Sequence, residues 1–219
     1  MKKLYSGMAT MVLTSLILSG CLGGQTPEEK MYEVMEQTVQ KEQPFQKVQQ
    51  PLSELEVKEQ EIFSTVITLG MKEYDEIVKL SDEALSNIAE REELFESEKK
   101  ALIEAEEHFN SIKEVIGDIE DKELGAKAKE LLEIMNARYD SHDTLVTVYE
   151  EGLNLDKKLY ESLKKEDLTM EDFEQQIEEV NKVYEKIYQA NEAFNKETEA
   201  FNEKKKAFYK EANLTEAKE

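Results

Sequence analysis

Residues 173–208 read FEQQIEEVNKVYEKIYQANEAFNKETEAFNEKKKAF, and this stretch decides the fold. Steps of four and three pick out Phe173, Ile177, Val180, Tyr184, Ile187, Asn191, Phe194, Thr198, Phe201, Lys205 and Phe208. One of the two alternating seam positions is apolar every time: Phe173, Val180, Ile187, Phe194, Phe201, Phe208. That heptad spacing belongs to a helix buried along one stripe by neighbouring helices. The aromatic ladder therefore reads as core and not as a stacking platform for sugars. Ala193, Ala200 and Ala207 precede the last three phenylalanines, and are expected to let a neighbouring helix approach closely.

The same rule extends upstream. Ile88, Arg91, Phe95, Glu98, Leu102, Ala105, Phe109, Ile112 and Ile116 form one seam, and Leu124, Ala128, Leu131, Met135, Arg138, His142, Leu145, Tyr149, Gly152, Asp156, Leu159 and Leu163 form another. Breaks fall at nearly even intervals: Gly70, Gly117-Asp118 and Glu166-Asp167-Leu168-Thr169, where Thr169 with Asp172 has the spacing of a capping box. Helices are expected over about 28–69, 72–116, 121–165 and 170–212, each about 65 Å long at 1.5 Å per residue. Equal lengths and short turns predict an all-α fold, an elongated antiparallel up-and-down four-helix bundle with coiled-coil-like packing. Glu, Lys, Ala, Leu and Gln dominate it, and no stretch alternates with a period of two.

Before the helices the chain changes character. Lys2 and Lys3 precede an apolar run from Met8 to Leu18, too short to span a bilayer, and then Leu18-Ser19-Gly20-Cys21. A basic start, a short apolar core and small residues describe a secretory signal, and Leu-Ser-Gly-Cys resembles the bacterial lipoprotein signal. That resemblance implies cleavage between Gly20 and Cys21, and a diacylglycerol on Cys21, the only cysteine. The organisation expected is a signal peptide over 1–20, a lipidated tether over 21–27 and a helical domain over 28–219. Leu22 to Pro27 is short and contains glycine, so the folded part begins within ~20 Å of the anchor.

Without residues 1–20 the chain has 26 basic and 50 acidic residues, a formal charge of −24. Nucleic acid is excluded as a partner, because its affinity comes from lysines and arginines meeting phosphates. Anionic headgroups would repel such a surface, which leaves the acyl chains to hold it at the membrane. No second cysteine is available for a disulfide, so the domain must be held by packing.

Both upstream seams carry charge where apolar residues belong, and the only two arginines, Arg91 and Arg138, sit on them. Folding the helices back at the breaks brings Glu98, Arg138, His142 and Asn191 to one level near the middle of the rod. Pro44 and Pro51 fall close to that height on the first helix, which they are expected to kink. Two readings of this candidate polar layer stand side by side. One is an ion pair, Glu98 with Arg138, that fixes helix register. The other is a pocket in which Arg138 holds an anionic group bidentately.

Enzyme chemistry finds little footing. A bundle di-iron site needs Glu-x-x-His on two helices, but Ala105 stands three before His108 and Tyr139 three before His142. There is no Gly-rich phosphate loop and no Gly-x-Ser-x-Gly elbow. No cofactor and no defined metal site are expected. Clustered carboxylates leave weak Ca²⁺ binding open, without the spacing of a calcium loop.

The lipoprotein cysteine, Glu98-Lys99-Lys100-Ala101-Leu102 leading to Phe109, and the closing Ala-Phe heptads together resemble the cell-wall-binding lipoproteins of Gram-positive Firmicutes, the YkyA-like family. The resemblance spans the mature chain. It implies an up-and-down helical bundle on the extracytoplasmic face of the membrane, and a peptidoglycan or other wall component as ligand. Charge favours a different partner, because a wall rich in teichoic phosphate is itself polyanionic. A lipid-anchored helical adaptor that binds a protein is the alternative.

Overall fold

The computed structural model describes residues 24–214. Gly20 and Cys21, and with them the expected cleavage and lipidation, lie outside the described residues. The first helix starts where Thr26 accepts a hydrogen bond from the Glu29 amide at 3.2 Å while its own amide donates to the Glu29 carboxylate at 2.9 Å. With Pro27 following, this capping box satisfies amides that the first turn would leave bare. Helix α1 runs Pro27–Lys41 and α2 Gln43–Val66. A 3-10 turn over Met71–Glu73 leads into α3, Tyr74–Phe109. A short α4, Ile112–Ile116, precedes α5, Lys122–Leu163, and α6 closes the chain over Met170–Glu211. No strand occurs among the described residues.

Four antiparallel arms result: α1 with α2, α3 with α4, α5, and α6. Asp121 caps α5, its carboxylate accepting from the amides of Glu123 at 2.8 Å and Leu124 at 3.1 Å. Thr169 caps α6, accepting from the Asp172 amide at 3.1 Å; its hydroxyl donates to the Asp172 carboxylate at 2.6 Å. The chain enters and leaves at the same end, where the rings of Tyr32 and Tyr209 pack at a tilt of 50° with centroids 4.8 Å apart. The Gly70 and Glu166–Thr169 loops form the other end, about 63 Å away along the 42-residue α6.

Three expectations need correction. The first arm is not one helix: it breaks at Glu42, because Pro44 has no amide with which to continue the ladder from α1. Pro51, by contrast, lies within α2, which continues through it. The second arm turns at Gly117-Asp118 as expected but carries an additional break at Asn110-Ser111, between α3 and α4. The alanines of α6 also do not mediate close approach, since Ala193 and Ala207 are exposed. A heptad places the residue before a seam position on the flank, away from the neighbour. Close approach falls instead at Gly152 of α5, where a Cβ would meet Ile187 Cδ1 at 2.8 Å.

The core divides in two along the rod. Near the chain ends Met31, Met35, Phe109, Leu131, Tyr139, Phe194, Phe201 and Phe208 pack together from all four arms. Toward the far end Val48, Leu52, Ile62, Ile88, Phe95, Tyr149, Leu153 and Tyr160 form a second cluster from α2, α3 and α5, to which α6 adds only the flank of Ile187. Between and beside these clusters lie the polar residues.

Candidate functional site

Arg138 projects from α5 at the boundary of the two clusters and is 4% exposed. Its terminal nitrogens donate to both oxygens of Glu42, at 2.7 and 2.9 Å, in the parallel geometry that makes guanidinium–carboxylate pairs strong. Its Nε donates to Thr198 Oγ1 at 2.9 Å, and its charge lies 4.9 Å from the centre of the Phe194 ring. Tyr139 adds a long hydrogen bond of 3.4 Å to the same Glu42 oxygen. The break between α1 and α2 is what turns Glu42 inward.

One turn along α5, His142 meets Glu98, Nε2 to Oε1 at 3.3 Å, and Gln49 donates to the other Glu98 oxygen at 2.6 Å. The rings of Phe45 and Phe194 flank His142. Arg138, His142 and Glu98 are thus gathered at one level, but the carboxylate on Arg138 is Glu42 and not Glu98. Asn191 stands apart, half-buried, its side-chain oxygen accepting from Asn195 at 2.6 Å. Since Glu42 occupies both terminal nitrogens, an incoming anion would have to displace it. The layer is a closed electrostatic joint.

A second polar layer surrounds Arg91, 1% exposed in the far cluster. Its Nε donates to the Tyr149 hydroxyl at 3.2 Å and Nη2 to the Tyr184 hydroxyl at 3.3 Å. Nη1 lies 3.5 Å from Asp156 Oδ2, and Nη2 lies 3.9 Å from Glu56 Oε1. Tyr184 donates to Asp156 at 2.6 Å, Tyr149 to Glu56 at 3.0 Å, and Tyr160 to Glu59. One guanidinium cannot neutralise Asp156, Glu56 and Glu59 together. Burial, with the nearby Glu59 charge, pushes the Asp156 carboxyl up to about 7, and burial raises Glu59 as well. Burial holds the Tyr184 phenol well above its usual range, so it stays a donor to Asp156.

A third group lies nearer the chain ends, where Tyr209 donates to Glu36 at 2.9 Å and Lys205, though nearly buried, reaches the same oxygen at 3.5 Å. His108 is half-buried on α3, and burial followed by the charge of Lys41 lowers its pKa. The seam rule marked Arg91, Tyr149, Asp156 and Lys205 but did not join them into layers. Glu42 and Glu56 carried no seam signal, because the break at Pro44 shifts the register of the first arm.

Among the described residues no group of three or more His, Cys, Asp or Glu is placed to hold a metal ion. No described helix is long and apolar enough to cross a membrane. Shallow concavities lie at the far end between α5 and α6, lined by Lys158, Ser162, Lys165, Gln176 and Glu179.

Comparison with known proteins agrees with this architecture. The chain superposes with a TM-score of 0.73 on a crystal structure of a conserved protein of unknown function from Staphylococcus aureus, covering 85% of this chain and 97% of that one at 18% identity. At that identity the likeness speaks for the fold alone. The "Uncharacterized lipoprotein YkyA" of Bacillus subtilis (strain 168) is 39% identical over 170 residues, 78% of this chain and 76% of the relative. Residues 26–211, all but the edges of the described rod, match the family model YkyA, "Putative cell-wall binding lipoprotein", and the chain belongs to that family.

Proposed function

We propose that this chain is a non-enzymatic lipoprotein, anchored through Cys21 on the outer face of the membrane, whose helical rod binds cell-wall material. The family match carries this reading, because it spans the rod and brings both the lipid anchor and the wall into view. The entry of the chain at one end of the rod supports it: a short tether from Cys21 would hold that end at the bilayer and send the Gly70 and Leu168 loops outward. A rod of about 63 Å then stands in the space between membrane and wall.

The test is co-sedimentation of residues 25–219 with purified peptidoglycan, with and without teichoic acid, across salt and with Ca²⁺ or chelator. Saturable retention is expected on peptidoglycan. Loss of retention after chelation would assign it to bridged carboxylates. Absence of retention under every condition rules out direct wall binding. Incorporation of labelled fatty acid, lost in Cys21→Ser, tests the anchor separately.

Charge favours a second reading, a lipid-anchored adaptor for a protein partner. A formal charge of −24 beyond residue 20 opposes contact with polyanionic wall within a Debye length of ~8–10 Å. It equally favours a cationic protein surface.

A further inference from the structure

The far third of α6 is covered differently from the rest of that helix. Phe194, Phe201 and Phe208 are buried in the first cluster, but Phe173, Ile177 and Val180 are only half-buried and belong to neither cluster. Met170, one turn before Phe173 on the same side, is 70% exposed. The heptad stripe therefore continues to the far end of the rod after the core that should cover it has stopped. The cause is visible in the packing: the far cluster is closed by α2, α3 and α5, leaving α6 seated against α5 beside the shallow concavity.

What covers such a stripe is constrained by its charge. Residues 166–185 contain eight acids and a single base, Lys182, paired with Glu178 at 2.6 Å, whereas Lys158 and Lys165 line the concavity on the α5 side, so the acidic flank is that of Glu171 and Glu174. A second copy of this chain would bring the same acids against them. Both ends of the described chain lie at the opposite end of the rod. The complementary occupant is apolar on one face and cationic on its flanks.

We propose that Met170, Phe173, Ile177 and Val180 form a docking stripe for a cationic amphipathic helix of a partner protein, framed by the acids of 166–185. The proposal rests on the adaptor reading and gives it a surface and a ligand chemistry. Apolar residues of the partner helix at intervals of three and four would lie along the stripe, and its lysines or arginines would face Glu171 and Glu174. The contacts would form about 45–60 Å from the tethered end.

The test uses residues 22–219, which contain every described helix and both apolar clusters. Anisotropy titrations would compare an amphipathic Lys/Leu helix of about 18 residues with a scrambled peptide of identical composition, near 0.15 M salt. The ordered peptide is expected to bind about tenfold more tightly or better, with affinity falling as salt rises. Met170→Lys, at a position too exposed to affect folding, should remove about tenfold, whereas Ile103→Lys on α3 should leave binding unchanged. Equal binding of both peptides, or no loss in Met170→Lys, overturns the proposal. So does a concentration-dependent dimer that Met170→Lys dissolves, which would make a second copy the occupant. In cells, a photo-crosslinking residue at position 170 of the full chain should form a discrete adduct with a protein. Adducts from position 103 alone would refute this stripe but leave an adaptor, and adducts from neither would refute both.

Discussion

Replacing Glu42 by alanine removes the only carboxylate among the described residues that contacts Arg138 and should be among the most damaging single changes in the rod. The guanidinium is 4% exposed, and its remaining partners would be the Thr198 hydroxyl, the Met135 sulfur and the Phe194 face. Stranding one member of a buried pair costs about 3–5 kcal/mol. Arg138→Met should cost less, about 1–2 kcal/mol, because Glu42 sits at a helix break from which its side chain can turn to water. In the double variant Glu42→Leu/Arg138→Met the layer becomes apolar at similar volume. Such replacements are often neutral or stabilising, so the double should lie well below the sum of the singles. Urea unfolding followed by far-ultraviolet circular dichroism measures all three. Thermal midpoints should fall by about 2–4 °C for each kcal/mol lost in a chain of this size. A loss below about 1 kcal/mol in Glu42→Ala, or strictly additive losses in the cycle, would refute a buried pair at this joint.

Three further outcomes follow from other residues. The Asp156 carboxyl, raised to about 7 in the folded protein, holds its proton where the unfolded chain has lost it, so it favours folding below about pH 4 and loses that contribution as pH rises toward 7. Asp156→Asn should flatten the decline in melting temperature between pH 5 and 8; an unchanged slope would show that Asp156 does not titrate there. Gly152→Ala should change stability little, since about 1 kcal/mol of helix propensity is set against moving the Ile187 tip. Gly152→Leu should cost about 1–3 kcal/mol by forcing α6 away, and equal denaturation midpoints for the two variants would contradict the close approach. Asp121→Ala should lose about 1 kcal/mol through two freed amides, with Asp121→Asn retaining most of it; equal losses from both would argue against capping.

The bundle was legible because its seams are long. Every seam position from Ile88 to Ile116 and from Ala128 to Leu159 is buried, and charge did not interrupt the reading, because a heptad tolerates an Arg91 or a Glu98 without losing phase. The same register placed Glu98 at the height of Arg138 and His142 but did not choose between them, and the partner expected was Arg138 whereas the structure has His142. The pairing of Arg138 with Glu42 was not legible, because it depends on a break that Pro44 creates and on the direction in which the residue before that break then points. Proline marked the place without giving the geometry. Asn191 shows the converse: a seam position predicts a height and a side of the helix, but a half-covered helix lets the side chain bond along its own surface. The uneven cover of α6 was hidden for the same reason, as an apolar stripe in sequence is identical whether three helices close over it or one.

An even number of antiparallel arms has a mechanical consequence. Tension applied along the axis between Thr26 and the loop before Met170 cannot peel one helix from its neighbour a turn at a time. It loads the helix interfaces in shear, so that rows of interlocked side chains must slide together before anything yields. The Glu42–Arg138 contact ties the break in the first arm to α5, and so lies directly in that line of load. A rod strained between a membrane and an outer attachment would give way at this joint before its helices unwound.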